Sequence, residues 1–215
     1  MRLELLEVPK TSTGSARMKL HETGPLILGY RLNSSRSGGA AQLIYSKGAL
    51  VLRMLHYLLT DPVSADDTAF FSMMKDFVGR HRNGVATSES FIQVASEHFA
   101  KSPIGQKYKL NDLRWFLNQW VYQTGLPSYH LDYKIENFEN RFAIKGTLLQ
   151  ENVDDSWFMV LPLVLEFSGG RVARTSINAI GAKTNFELRL PEKPQRVRLD
   201  PDLWILSEKT SESSH

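Results

Sequence analysis

The sequence predicts an α+β protein: a helical bundle over residues 1–127, a small antiparallel β-sandwich over residues 128–207, and a disordered tail at 208–215. Three observations predict it. Between Leu43 and Val121 apolar side chains recur at helical spacing. From Tyr129 onward they alternate with period two between turn signals. The change falls at Gly125-Leu126-Pro127, where a glycine can close a helix and a proline stops its continuation.

The helices follow in order. Met1-Arg2-Leu3-Glu4-Leu5-Leu6-Glu7 has acids inside its apolar run, which suits the last turns of a helix and not a signal peptide. A Gly/Ser/Arg-rich loop over residues 33–39 leads to a run, 43–59, that is apolar on nearly all sides, as in a buried helix. Thr60-Asp61-Pro62 ends it, because proline cannot continue the backbone ladder. A second helix begins near Ala65-Asp66-Asp67, where acids suit the positive end of the dipole, with Phe70, Phe71, Met74, Phe77 and Val78 as its stripe. Asn83-Gly84 is a turn. Thr87 or Ser88 caps a third helix carrying Phe91, Val94, Ala95 and Phe99. A polar loop over 101–109 precedes a fourth helix, capped by Asn111 and closed at Gly125, with Leu113, Phe116, Leu117, Trp120 and Val121 on its apolar face.

Strands are expected over 129–135, 141–149, 157–167, 171–177, 184–190 and 196–199, with 204–206 a possible seventh. Alternation is clear in Leu131/Tyr133/Ile135 and Phe186/Leu188/Leu190. Asn137/Asn140, Asp154-Asp155, Gly169-Gly170 and Glu192-Lys193-Pro194 punctuate the run, a rhythm that fits a sandwich. The Ser/Glu-rich residues after Leu206 read as frayed.

Composition narrows the function. The 215 residues can bury one large core or two small ones. Hydrophobic residues at 42% and charged residues at 23% are ordinary for a globular chain. The net charge of +3 comes with no concentrated basic stripe, so nucleic acid is not an expected partner. There is no cysteine, which rules out disulfides, thiolate nucleophiles and Cys-based zinc sites. The longest apolar runs, around Leu50–Leu59 and Phe158–Phe167, are interrupted and fall short of the about 20 residues of a membrane span. None of this fixes the compartment.

The segment Leu43-Ile44-Tyr45-Ser46-Lys47-Gly48-Ala49-Leu50-Val51-Leu52-Arg53-Met54-Leu55 carries the chemistry. Its Tyr-x-Lys-Gly-Ala pattern, opening an apolar helix, resembles the catalytic-tyrosine segment of the gluzincins, the aminopeptidase-N-like zinc peptidases. Gly24-Pro25-Leu26-Ile27-Leu28-Gly29-Tyr30-Arg31 resembles the loop before it. His81-Arg82-Asn83-Gly84-Val85-Ala86-Thr87-Ser88-Glu89-Ser90-Phe91 resembles the family's turn and capped helix start. Trp115 through Pro127 resembles the helix that closes the catalytic domain with a Trp…Gly-x-Pro ending, and the strands beyond resemble the family's β-domain, down to Leu190-Pro191-Glu192-Lys193-Pro194 and Leu199-Asp200-Pro201. The order and spacing of these motifs, over residues 24–207, are more specific than any one of them.

The resemblance implies a fold and a role: the end of a thermolysin-like catalytic domain, then a β-domain, from an enzyme that removes N-terminal residues from peptides. In that family a zinc held by two histidines and a glutamate activates water. Tyr45 matches the tyrosine that donates a hydrogen bond to the developing oxyanion. A tyrosine suits this task, since a phenol is a rigid donor that keeps its proton near neutrality.

The departures are as specific. The histidines are His21, His56, His81, His98, His130 and His215, and none forms His-Glu-x-x-His. His21-Glu22-Thr23-Gly24-Pro25 lacks the second histidine and runs into a turn. The third zinc ligand and the Gly-x-Met-Glu-Asn motif that gathers a substrate amine have no counterpart. The expectation is therefore a piece of a zinc aminopeptidase that supplies Tyr45 and structural support, holds no metal or cofactor itself, and is inactive alone. Its partners would be the N-terminal zinc-binding half and, in the parent, a peptide substrate. The competing expectation is a non-catalytic peptide- or protein-binding scaffold module.

Other features have plain structural readings. Lys47 can pair with a carboxylate, and Gly48 and Ala49 can admit a close helix. The histidines read as hydrogen-bonded or surface groups. Asp66-Asp67 and Asp154-Asp155 read as a helix start and a turn. Trp115, Phe116, Trp120 and Tyr122, at helical spacing, read as packing.

Overall fold

A computed structural model describes residues 5–6, 19–32, 40–139 and 141–215. The readings of residues 1–4, 7 and 33–39, and of Asn140 as a turn, lie outside the described residues. The architecture is α+β, helices first and a β-rich part after. The chain divides into two compact units: the described residues through Asp61 with Ala65–Gly125, and Pro62–Ser64 with Leu126–His215.

In the helical unit two 3₁₀ turns, Leu20–Thr23 and Leu26–Leu32, precede α1 (Ala40–Leu59), α2 (Thr68–Arg80), α3 (Ser88–Phe99), α4 (Pro103–Tyr108) and α5 (Arg114–Trp120). Helix α1 is the axis of the core. Its second half is buried nearly all round, at Met54, Leu55, Tyr57, Leu58 and Leu59. Its first half leaves Tyr45, Ala49 and Leu52 exposed, a stripe at i, i+4 and i+7.

The ends of the helices are set by local hydrogen bonds. The Asp66 carboxylate accepts the Thr68 N–H at 3.0 Å, which starts α2 at Thr68. The face of α2 is rotated from the expected stripe: Met73 is its buried residue, and Phe71 and Val78 are exposed. A stripe through 70, 73, 74 and 77 has the 3–4 spacing that one helix face requires; positions 71 and 78 fall to its side. Thr87 caps α3 by accepting the Ser90 N–H at 3.1 Å, while Ser90 Oγ accepts the Thr87 N–H at 3.0 Å.

The loop expected over 101–109 contains α4. Ser102 Oγ accepts the Gly105 N–H at 3.1 Å and Pro103 occupies the first turn. Glycine is required at 105, since a Cβ there would lie 2.1 Å from the Phe99 carbonyl oxygen. Helix α5 ends at Trp120 with Val121 as its cap, so Gly125 does not close it.

The strands of the second unit are β1 (Ser128–Phe138), β2 (Arg141–Glu151), β3 (Phe158–Glu166), β4 (Val172–Ile180), β5 (Lys183–Leu190), β6 (Arg196–Leu199) and β7 (Lys209–Ser214). One sheet has the order β5-β2-β1-β7 and the other β4-β3-β6. Central β3 is apolar and buried along Met159–Leu165, as a strand covered on both faces must be. Its Pro162 is accommodated because the donor it lacks would point past the end of β6. The Pro162 carbonyl, directed to that side, accepts the N–H of Asp200, the residue after β6, at 2.9 Å.

Two expectations are corrected here. The polar tail is not frayed: Lys209–Ser214 is β7, paired with β1. That pairing is parallel, from Ser128↔Lys209 to Tyr133↔Ser214, whereas the strands within 128–207 pair antiparallel, as expected. Residues 204–206 are not a strand, because the Asp200 carboxylate takes the N–H groups of Trp204 at 2.8 Å and Ile205 at 2.9 Å and folds them into a turn.

Candidate functional site

Tyr45 lies in the first half of α1 and is 69% exposed. The exposed stripe that carries it forms one side of an apolar groove of about 720 Å³ within the helical unit. Ile44, Gly48, Leu52 and Leu55 come from α1; Leu26 and Ile27 from the 3₁₀ segment; Phe77 and Phe91 from α2 and α3; Phe116, Leu117 and Val121 from α5 and its end. Phe77 and Phe91 meet edge to face, with ring centroids 5.0 Å apart. Thr87 and Ser88, at the α3 cap, add the polar part of the lining. The arrangement can hold an apolar group beside a phenol donor.

Gly48 does not admit a close helix, contrary to expectation: a Cβ built there meets nothing within 4 Å. Lys47 faces the other way from Tyr45. It is fully buried, and its Nζ donates to the Gln123 carbonyl at 2.9 Å. The partner is therefore a backbone oxygen and not the expected carboxylate. Burial pulls the Lys47 ammonium down to about 8, because the interior disfavours the charged form.

The histidines do other work. His21 is buried and donates from Nδ1 to the Thr124 carbonyl at 3.1 Å. His56 stacks on Phe70 at 4.4 Å and bonds Asp67 at 3.0 Å. His81 bonds the Phe77 carbonyl at 2.9 Å. His98 bonds Asp76 at 3.0 Å, beside an Arg80 that also reaches Glu97. Arg80 and His98 hold the Asp76 carboxyl below its usual range. His130 sits between the Ser211 and Ser213 hydroxyls, and His215 bonds Asp132 at 2.9 Å. Among the described residues no three His, Asp or Glu side chains are grouped so that they could hold a metal ion. Asp154 accepts the Ser156 N–H at 2.8 Å, and that bond lowers its pKa, as expected of a turn aspartate. Among the described residues no helix is long and apolar enough to cross a membrane.

No protein-family model matches the sequence. No curated protein matches it either. Among solved structures the chain is similar to the crystal structure of Legionella pneumophila aminopeptidase A in complex with aspartic acid, with a TM-score of 0.57. The fold is thus like that of the matched part of this aminopeptidase. The similarity covers 97% of this chain at 18% identity, so it speaks for the fold alone. It covers 20% of the aminopeptidase, so the chain spans about a fifth of that protein's length.

Sequence reasoning singles out Tyr45 as a candidate and gives neither the groove beside it nor the grip of Lys47 and His21 on residues 123–124. The groove is assembled from five elements, and no periodicity joins Leu26 to Phe91 or Val121. A lysine inside an apolar run was the available signal, and it gave no address for the lysine's partner.

Proposed function

We propose that the chain is the C-terminal part of the catalytic region of a gluzincin, an aminopeptidase-N-like zinc peptidase, together with the β-domain that follows it. Tyr45 is then the donor that stabilises the oxyanion when a peptide's first carbonyl is attacked. One observation carries this reading. The tyrosine that the motif order singles out lies exposed on a groove wall, in a chain whose fold runs with an aminopeptidase over nearly its whole length. A catalytic donor must be reachable, whereas a core tyrosine would be buried.

The residues present do not fit a catalytic zinc. The sequence has no His-Glu-x-x-His, and no metal-ligating trio forms among the described residues. In this reading the metal belongs to a half outside these 215 residues. What this chain contributes is a hydroxyl held on a rigid helix. Preorganisation of that kind adds transition-state stabilisation without reorganisation at the moment of reaction.

The test is Tyr45→Phe in the peptidase encoded by the complete reading frame. The expected result is a fall of about 100- to 1,000-fold in kcat with KM little changed. An unaltered kcat, or a frame with no His-Glu-x-x-His upstream, sinks the assignment. The chain alone is expected to hydrolyse no aminoacyl-anilide and to bind no stoichiometric zinc, measured by activity assay and metal analysis.

The exposed groove favours a second reading, a binding module that holds a partner without cleaving it. Size-exclusion chromatography separates the two states of that face. A monomer at all concentrations argues against a self-complementary partner surface.

A further inference from the structure

Three hydrogen bonds converge on one short segment behind Tyr45. The Ile27 N–H donates to the Val121 carbonyl at 3.0 Å, Lys47 Nζ to Gln123 at 2.9 Å, and His21 Nδ1 to Thr124 at 3.1 Å. Residues 121–124 lie outside any helix or strand, so these carbonyls have no ladder to satisfy them. Donors more than 70 residues distant do so instead; Lys47 and Gln123 are 76 apart, and His21 and Thr124 are 103 apart. Two of the three donors are buried basic side chains.

Filling that space requires no ammonium. A methionine would pack there without the desolvation cost that a buried charge carries. What lysine adds is a directional donor at the end of a long arm. Lys47 follows Tyr45 by two residues, about 200° around the helix. One face of α1 therefore meets the groove while nearly the opposite face is tied to residue 123. Ile27 and Val121, joined by the third bond, are themselves groove lining.

We propose that Lys47 is a positioning residue: by gripping the Gln123 carbonyl, with His21 on Thr124, it fixes the rotation of α1 against the groove wall and so the place of the Tyr45 hydroxyl. The catalytic part of this inference rests on the peptidase reading; the clasp does not.

A double-mutant cycle in the complete peptidase tests it, with Tyr45→Phe, Lys47→Met and both together. Lys47→Met alone lowers kcat about 10-fold or more and leaves KM within about two-fold, and the Tyr45→Phe penalty shrinks by the same factor in its background. An undiminished penalty overturns the positioning role and leaves the peptidase reading intact. If Tyr45→Phe has no effect in the wild type, the peptidase reading fails, and the clasp is judged by hydrogen exchange. There, Lys47→Met speeds exchange of the 121–125 amides about 10-fold or more while α3 is unchanged. Equal exchange at 121–125 overturns the clasp. Should Lys47→Met fail to fold, His21→Ala takes its place in both measurements with the same expected directions.

Discussion

Lys47 makes stability depend on pH. Its folded-state value is about 8 against 10.5 for an ordinary lysine. Between those values the unfolded chain binds more protons than the folded one, so stability rises with pH across the window. The full difference corresponds to about 3 kcal/mol, present above 10.5 and lost as pH falls through 8. Tyr129 opposes it at the alkaline end. Burial raises its phenol, which folding holds neutral, so its contribution falls away above about pH 10. Denaturant melts at pH 7.5 and 9.5 are expected to show the wild type gaining stability while Lys47→Met does not. Equal slopes for the two proteins would contradict the burial of the ammonium.

At the scale of elements, α1 holds a glycine that nothing in the packing requires. Gly48 is half-buried and has open space where a Cβ would go. Replacing it with alanine is expected to raise stability by about 1 kcal/mol through helix propensity, read from chemical denaturation. The same substitution narrows the groove beside Tyr45, so under the proposed peptidase reading KM is the parameter to follow. Helix α4 illustrates the opposite case. Its glycine, Gly105, is pressed against the Phe99 carbonyl and tolerates no side chain. Sequence alone treats the two glycines alike, because the difference lies in what stands beside each in space.

At the scale of the whole chain, the β unit depends on its last strand. Strand β7 covers the edge of β1 over six residue pairs, and Glu212 accepts the Leu199 N–H at 2.8 Å, linking the two sheets. Removing residues 209–215 strips these bonds and bares an edge. The expected loss is about 3 kcal/mol, with a lower melting temperature and a tendency to associate through β1. Unchanged melting would show that β7 contributes no net stability. Its composition, Lys-Thr-Ser-Glu-Ser-Ser, gives no apolar alternation, and so it read as tail. Its strand form comes from main-chain pairing to β1 and from His130 held between Ser211 and Ser213.

What the sequence determined by itself was whatever depends on neighbours a few residues away. Helical spacing, the Thr87 cap, the period-two strands and the ordered motifs around Tyr45 are of that kind, and they were enough for the fold class and for one candidate residue. Tertiary structure alone decided the groove, the buried partner of Lys47, the rotated face of α2 and the parallel pairing of β7. Each of these joins residues far apart in the chain, and no local pattern encodes which distant carbonyl, ring or strand edge will stand opposite.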